Sequence, residues 1–325
     1  MDFMLPFEIA PPEKRCNYQH KIFFLGSCFS TDIAARMQAL KFSVFSNPTG
    51  IVYHPLKIAD VLRKIVDGSH YSEYDLVANN GLFHSWEHHS EFSEGESGLV
   101  LEKANHRLEA ARQFLAHADF LILSPATAFG YYLKEDRRLV ANCHKLPAAL
   151  FDKQLSDVAE IIDRLTRTIS LIKEFNPGIR LIFTVSPVKH LRDGVVANNL
   201  SKAIVIQTVH KLVSLVEGSW YFPSFEILND ELRDYRFYKN DFAHPSDTAV
   251  SYILEKFLTA FMSDEAKTLL AEIRDVRSAA AHRPMNRIAD AHRKFCEAQL
   301  LKIAKIEGQY PFLDFSEEKS VFTGG

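Results

Sequence analysis

The 325-residue chain carries a formal charge of −3, with 47% hydrophobic and 24% charged residues. This slightly acidic balance excludes the basic footprint of a nucleic-acid binder, and no apolar run approaches the ~18–20 residues that cross a bilayer. Enough apolar material remains for a sizeable core, at a length that fits two domains or one α/β domain with insertions.

The N-terminal stretch MDFMLPFEIAPPEKR lacks the basic start and long apolar stretch of a signal peptide, so a cytoplasmic location is expected. In chain order, Ile22–Leu25 is an apolar strand that ends in Gly26-Ser27-Cys28, and Phe29–Leu40 has helical character. Phe42–Ser46 reads as a second strand closed by Asn47-Pro48-Thr49-Gly50. Pro55 opens a helix with Ile58, Val61, Leu62 and Ile65 in phase. Residues 67–100 show no period and read as an excursion of short strands and loops, followed by a helix over 103–117. Asp119–Ser124 is the third strand. A hairpin of Tyr131–Lys134 against Arg138–Asn142 follows, then an amphipathic helix carrying Val158, Ile161, Ile162, Leu165, Ile169 and Ile172. Asn176-Pro177-Gly178 stops that helix before the fourth strand, Ile179–Ser186. A helix over 199–216, a fifth strand at Ser219–Pro223 and a helix over 246–262 complete the core.

From Asp264 the texture changes. Residues 264–281 and 285–306 predict two helices split at His282-Arg283-Pro284, and the chain ends in a loose tail at Thr323-Gly324-Gly325. The alternation of strands and helices predicts an α/β three-layer sandwich of about five parallel strands, with an appended C-terminal helical hairpin. The domain division expected is 1–263 and 264–325.

Ligands in such sheets bind beyond the carboxyl ends of the strands. Polar clusters fall there after each strand: Ser27 and Cys28, Asn47 to Gly50, Ser124 to Thr127, Ser186 to His190, and Asp241 to Pro245. A carboxylate three residues before an imidazole can fix the ring's tautomer, so Asp241 and His244 form a base pair for a nucleophile. Either Ser27 or Cys28 can be that nucleophile, and placement at a helix start is expected to lower a thiol's pKa. Cys16, Cys28, Cys143 and Cys296 are far apart with no CxxC pair, and the histidines show no metal-ligand spacing. No metal and no cofactor are expected.

GSCFS, NPTGIVYHP, NCHKLP, SPVKHLRDG and NDFAHP together resemble the GSCFA family, a branch of the SGNH/GDSL hydrolase superfamily, over residues of about 20–262. The resemblance implies a flavodoxin-like sheet of order 2-1-3-4-5 and esterase or acyltransferase chemistry through a covalent acyl-enzyme. Laid on the superfamily's Gly-Asp-Ser block, Gly26 matches the glycine, Ser27 the aspartate and Cys28 the serine. Register therefore favours Cys28, with Ser27 bracing the turn. Asp241 and His244 match the superfamily's Asp-x-x-His. Gly50 resembles the oxyanion glycine. The Gly-x-Asn-Asp block after the third strand is replaced by Ser-Pro-Ala-Thr, so Thr127 or Asn142 would have to supply that donor.

Asn47, His144 and His190 complete the expected oxyanion and substrate set, and His54 is a further candidate for lining the cleft. His84, His88 and His89 read as surface or loop residues, or as part of a lid. The expected function is a hydrolase, an esterase acting on an acylated glycan or another small acylated substrate. Acyl transfer on the same triad, or non-catalytic glycan or metabolite binding on a degenerate scaffold, are the alternatives. The expected partner is a small-molecule or glycan ester, without nucleic acid or membrane, and the C-terminal helices offer a homodimer surface.

Overall fold

The computed structural model describes residues 4–282 and 290–323. The chain runs β1 (Lys21–Gly26), α1 (Cys28–Ala39), β2 (Ser43–Ser46) and α2 (Pro55–Asp67), then an antiparallel hairpin of β3 (Leu76–Asn79) and β4 (Leu82–Ser85). After α3 (Ser97–Leu115) and β5 (Phe120–Ser124) comes an antiparallel sheet of β6 (Phe129–Leu133), β7 (Leu139–Val140) and β8 (Phe151–Leu155). The core resumes with α4 (Val158–Phe175), β9 (Arg180–Thr184), α5 (Gly194–Leu215) and β10 (Ser219–Phe222). A short helix, α6 (Ser224–Glu226), runs on into a π-helical turn over Ile227–Leu232. Four helices close the described chain: α7 (Asp247–Phe261), α8 (Asp264–Ala281), α9 (Asp290–Gln309) and α10 (Ser316–Thr323).

Five parallel strands lie in the order β10-β9-β5-β1-β2, which is 2-1-3-4-5 by order of appearance, as expected. The central strands β1, β5 and β9 are buried on both faces, which is why they read as continuous apolar runs rather than alternating ones. In β1, Ile22 to Leu25 are no more than 2% exposed. Because side chains alternate along a strand, Ile22 and Phe24 enter one apolar cluster with α1, α7 and α8. Phe23 and Leu25 enter the other, with α2, α3, α4 and α5. Each such side chain contributes ~1.5–3 kcal/mol by leaving water. Gly26 ends β1 with a φ of +155°, and a Cβ there would collide with the Ser124 carbonyl on β5. Only glycine lets the two strands meet at the point where the chain turns into α1.

Several expected elements differ. α3 starts at Ser97 rather than 103, because Val100, Ala104, Leu108, Ala111 and Leu115 form one buried stripe. α5 likewise begins at Gly194. The expected hairpin is a three-stranded sheet, since β8 pairs with β6. The C-terminal segment is no loose tail. Leu313, Phe315 and Phe322 are buried in the same cluster as α1, α7 and α8, and α10 forms around them. The expected break at Arg283-Pro284, and Gly324-Gly325, lie outside the described residues.

Candidate active site

At the β1–α1 corner the two candidate nucleophiles part company. Ser27 is completely buried and its Oγ has no hydrogen-bond partner. It occupies the N-cap position of α1 with extended backbone, yet its side chain makes no cap bond. Its N–H donates to the Ser124 carbonyl (3.1 Å), locking the corner to β5. Cys28, the first helical residue, is partly exposed.

The thiol does not follow the expectation for a helix start. Burial raises its pKa and is the largest influence. The N–H groups of Phe29 and Cys28 and the charge on Lys202 act in the lowering direction, but together they do not overcome desolvation.

Asn47 braces this corner. Its Oδ1 accepts from the Gly26 N–H and its Nδ2 donates to Thr31 Oγ1, both at 2.8 Å, and it is buried. Gly50 sits at φ +79° with its N–H donated to the Asn47 carbonyl (2.9 Å), so that N–H closes the turn. Thr127 is tied down as well: its Oγ1 bonds Ser201 Oγ (2.8 Å) and accepts from the Phe129 N–H (3.1 Å). Asn142 donates to Ser90 Oγ (3.1 Å) and accepts from the His144 N–H (2.9 Å). All of these expected oxyanion donors are thus engaged within the protein.

The Asp241 and His244 pairing is direct. Asp241 Oδ2 lies 2.7 Å from His244 Nδ1, while Oδ1 accepts from the N–H groups of Ala243 and His244, each at 2.9 Å. The His244 and Ala243 N–H bonds, then the ring, hold the Asp241 carboxyl down at about 2. A carboxylate in that position keeps the proton on Nδ1 and leaves Nε2 as the working nitrogen. Both side chains are about half exposed. The loop that carries them is pinned to the segment after β9 by the Lys189 N–H, which donates to the Ala243 carbonyl (3.0 Å). No hydrogen bond joins His244 to Ser27 or Cys28 among the described residues.

A cleft of about 980 Å³ opens beside this corner, between the strand ends and the β6–β8 sheet. Tyr53, His54, Thr127, Asn142, His190 and Arg192 are among its lining residues. Cys28, Asp241 and His244 are not, and Tyr53 and His190 join the two regions. Tyr53 is within electrostatic range of the Cys28 thiol, and His190 of both His244 and Lys202. The Tyr53 and His190 rings meet edge to face at 5.0 Å. Burial holds His190 neutral, down to about 3. Its Nε2 is buried and has no partner.

The other histidines divide by burial. His54 caps α2 by accepting from the Leu56 N–H (3.2 Å), and its Nε2 meets the Ala128 carbonyl (3.1 Å). Burial holds it neutral, down to about 4. His144 does not line the cleft. It is buried, stacks on His84 at 4.6 Å and bonds the Ser85 carbonyl through Nε2 (2.7 Å), fastening the two insertions together. His84 and His88 are buried, against the expectation of surface positions: His88 packs between Tyr71 and Phe92 of the main core, and His84 lies against His144 of the other insertion. His89 does border the cleft.

Sequence reasoning missed Lys202, a fully buried lysine on α5 whose charge acts on Cys28. Its signal was present, since Lys202 is in phase with Val205, Val209 and Leu212 on the inner stripe.

Among curated proteins none matches the chain. Among solved structures, a carbohydrate esterase of family 3 from Talaromyces cellulolyticus is similar over 79% of this chain and 99% of its own, at 9% identity and a TM-score of 0.35. An acetyl xylan esterase from the rumen bacterium Butyrivibrio proteoclasticus is similar over 74% of this chain and 64% of its own, at 12% identity and a TM-score of 0.38. The GSCFA family profile matches residues 21–257, and that of the GSCFA domain protein C-terminal domain matches residues 273–323. The chain belongs to the GSCFA family.

Proposed function

We propose that this protein is an esterase that works through a thioester on Cys28, with His244 as the proton carrier and Asp241 as its orienter. The observation that carries this reading is the 2.7 Å pairing of Asp241 with His244 Nδ1, which prepares Nε2 to take a proton. Cys28 supports it as the nucleophile because it alone of the two neighbours is partly exposed.

In the first half-reaction the thiol proton passes to His244 Nε2 and the sulfur attacks the ester carbonyl carbon. The tetrahedral oxyanion is stabilised at the start of α1, where the N–H groups of Cys28 and Phe29 lie at the sulfur and the helix dipole favours negative charge. Collapse breaks the ester C–O bond, and the alkoxide leaves with the proton from His244. In the second half-reaction water, deprotonated by His244, attacks the thioester and releases the acid and the free thiol. An alcohol in place of that water would make the reaction an acyl transfer.

The cleft volume falls within the ~300–1,000 Å³ usual for small-molecule sites, and its mixture of aromatic and polar lining suits an acylated sugar. The test is acyl release from p-nitrophenyl esters and acetylated sugars by the wild type, Cys28→Ala and His244→Ala. Both variants are expected to lose at least ~100-fold in rate. Wild-type rates in His244→Ala sink the mechanism.

A second reading, a non-catalytic binder of glycans or metabolites, is favoured by one observation: the Gly50 N–H, the Thr127 hydroxyl and the Asn142 amide are all engaged elsewhere. Saturable binding of acetylated sugars without turnover by the wild type would establish it.

A further inference from the structure

Phe242 stands between Asp241 and His244 in a conformation that suits it badly. Its φ is +55°, in the left-handed region that glycine and asparagine tolerate and a bulky side chain does not. The loop's own bonds hold it there. Asp241 Oδ1 gathers the N–H groups of Ala243 and His244, the Phe242 N–H donates to the Lys239 carbonyl (2.9 Å), and the Lys239 N–H donates to the His244 carbonyl (2.7 Å). The bonds that aim the imidazole therefore fold the chain back around residue 242, where the backbone suits a residue other than phenylalanine.

Packing does not compensate for this. Phe242 is 55% exposed and belongs to no apolar cluster among the described residues. One ring meets it: Tyr235, 62% exposed, stands edge to face at 5.6 Å and 86°. Tyr235 opens a single 3-10 turn, Tyr235–Phe237, and also stays outside the core, whereas Phe237 and Tyr238 pack on the cluster of α1, α7 and α8. Lys189 Nζ lies 4.7 Å from the Tyr235 ring centre and 4.0 Å from that of Tyr238, a cation that steadies both rings. Two exposed aromatic rings are thus set at a right angle on the pinned loop of the proposed base. Neither lines the cleft of about 980 Å³. A strained residue that the fold does not use calls for a role outside the folded chain.

We infer that Phe242, backed by Tyr235, is a platform for the alcohol part of the ester, and that this alcohol carries a ring. The placement rests on His244 being the proton carrier, because Nε2 must reach the oxygen that leaves and Phe242 rides the same loop. The exposure of the ring and the strain beneath it do not rest on that reading. A flat aromatic face in water favours a flat partner. A pyranose presents a face of C–H groups and an aryl alcohol a π-face, and either buries apolar area on Phe242. A short acyclic alcohol covers little of it. The platform makes and breaks no bond; it holds the leaving group beside Nε2.

The test compares the wild type with Phe242→Asn and Phe242→Tyr, as full chains, on acetylated glucose, phenyl acetate and ethyl acetate. In Phe242→Asn the preference for a cyclic over the acyclic ester, as a ratio of kcat/KM values, is expected to fall at least about fivefold, carried by KM rather than kcat. Phe242→Tyr keeps the ring and is expected to keep the preference. A fall against acetylated glucose alone assigns the platform to sugars, and one against phenyl acetate alone to aryl alcohols. An unmoved ratio against both, or an equal fall in both variants, overturns the platform. Phe242→Asn is also expected to melt no more than about 2 °C below the wild type, because asparagine tolerates left-handed backbone. A larger drop gives the ring a structural role and overturns the proposal.

The esterase reading fails separately. If the wild type hydrolyses no ester, calorimetric binding of acetylated glucose replaces turnover: affinity at least about fivefold weaker in Phe242→Asn keeps the platform, and equal affinity overturns it. Activity lost in His244→Ala beside an unmoved ratio in Phe242→Asn keeps the mechanism and rejects the platform.

Discussion

Ser27 and Cys28 differ by one position and one atom, and the fold gives them opposite environments. A strand that stops at Gly26 and turns into a helix can aim one side chain outward, which made the choice legible as a register question. The direction of the thiol's pKa was not legible, because a helix start lowers it only when solvent can share the work. Here burial dominates, and burial depth at α1 depends on helices some 200 residues later in the chain, among them α7 and α8. Ser27→Ala removes a buried hydroxyl that has no partner. Its stability is expected to stay within about 1 kcal/mol of wild type or to rise slightly, by urea denaturation, and its ester turnover to be kept. A loss of turnover matching that of His244→Ala would move the nucleophile to Ser27.

Among the elements, the sheet and its crossover helices were readable from apolar runs and helical phase, whereas the insertions were readable only in outline. β8 has the sequence FDKQL, whose central polar residues hide a strand that exists because β6 offers it an edge. α10 was missed because only two of its residues are buried, and its place is set by Leu313, Phe315 and Phe322 docking on an existing core. The long-range clasp of the insertions was invisible for the same reason. Lys57 on α2 is buried with its Nζ 2.5 Å from Glu87 and 2.9 Å from the Leu139 carbonyl, joining a core helix to both insertions. Lys57→Met leaves Glu87 without its cation in a largely buried position, and a loss of ~3–5 kcal/mol is expected in denaturant unfolding. Adding Glu87→Leu should restore most of it, and a single variant as stable as wild type contradicts the clasp.

For the whole molecule, pH is the most direct probe of what the fold holds inside. Burial keeps His54 down to about 4, and His88 and His190 down to about 3, against ~6.5 in the unfolded chain. Below pH ~6.5 the unfolded state therefore binds more protons, so stability is complete above that pH and falls as pH drops toward about 4. Thermal melts at pH 7.5 and 5.0 should show the lower midpoint at 5.0, and equal midpoints contradict the burial. The fastening of β3–β4 to β6–β8 bears on another property. Trp86, Leu133, Val140 and Phe151 form a small core between these insertions, reinforced by the bonds from Asn79 to the His144 carbonyl and from Ala141 to the Trp86 carbonyl. The β6–β8 stretch that lines much of the cleft is thus braced by a second stretch, which reaches the cleft at His89, while the proposed nucleophile and base answer to the sheet. A change in the cleft wall therefore has to be matched on the bracing stretch, and it leaves the corner at Gly26 untouched. A chimera that exchanges one of the two stretches alone is expected to carry a mismatched seam at Trp86, Leu133, Val140 and Phe151, and so to melt below one that exchanges both.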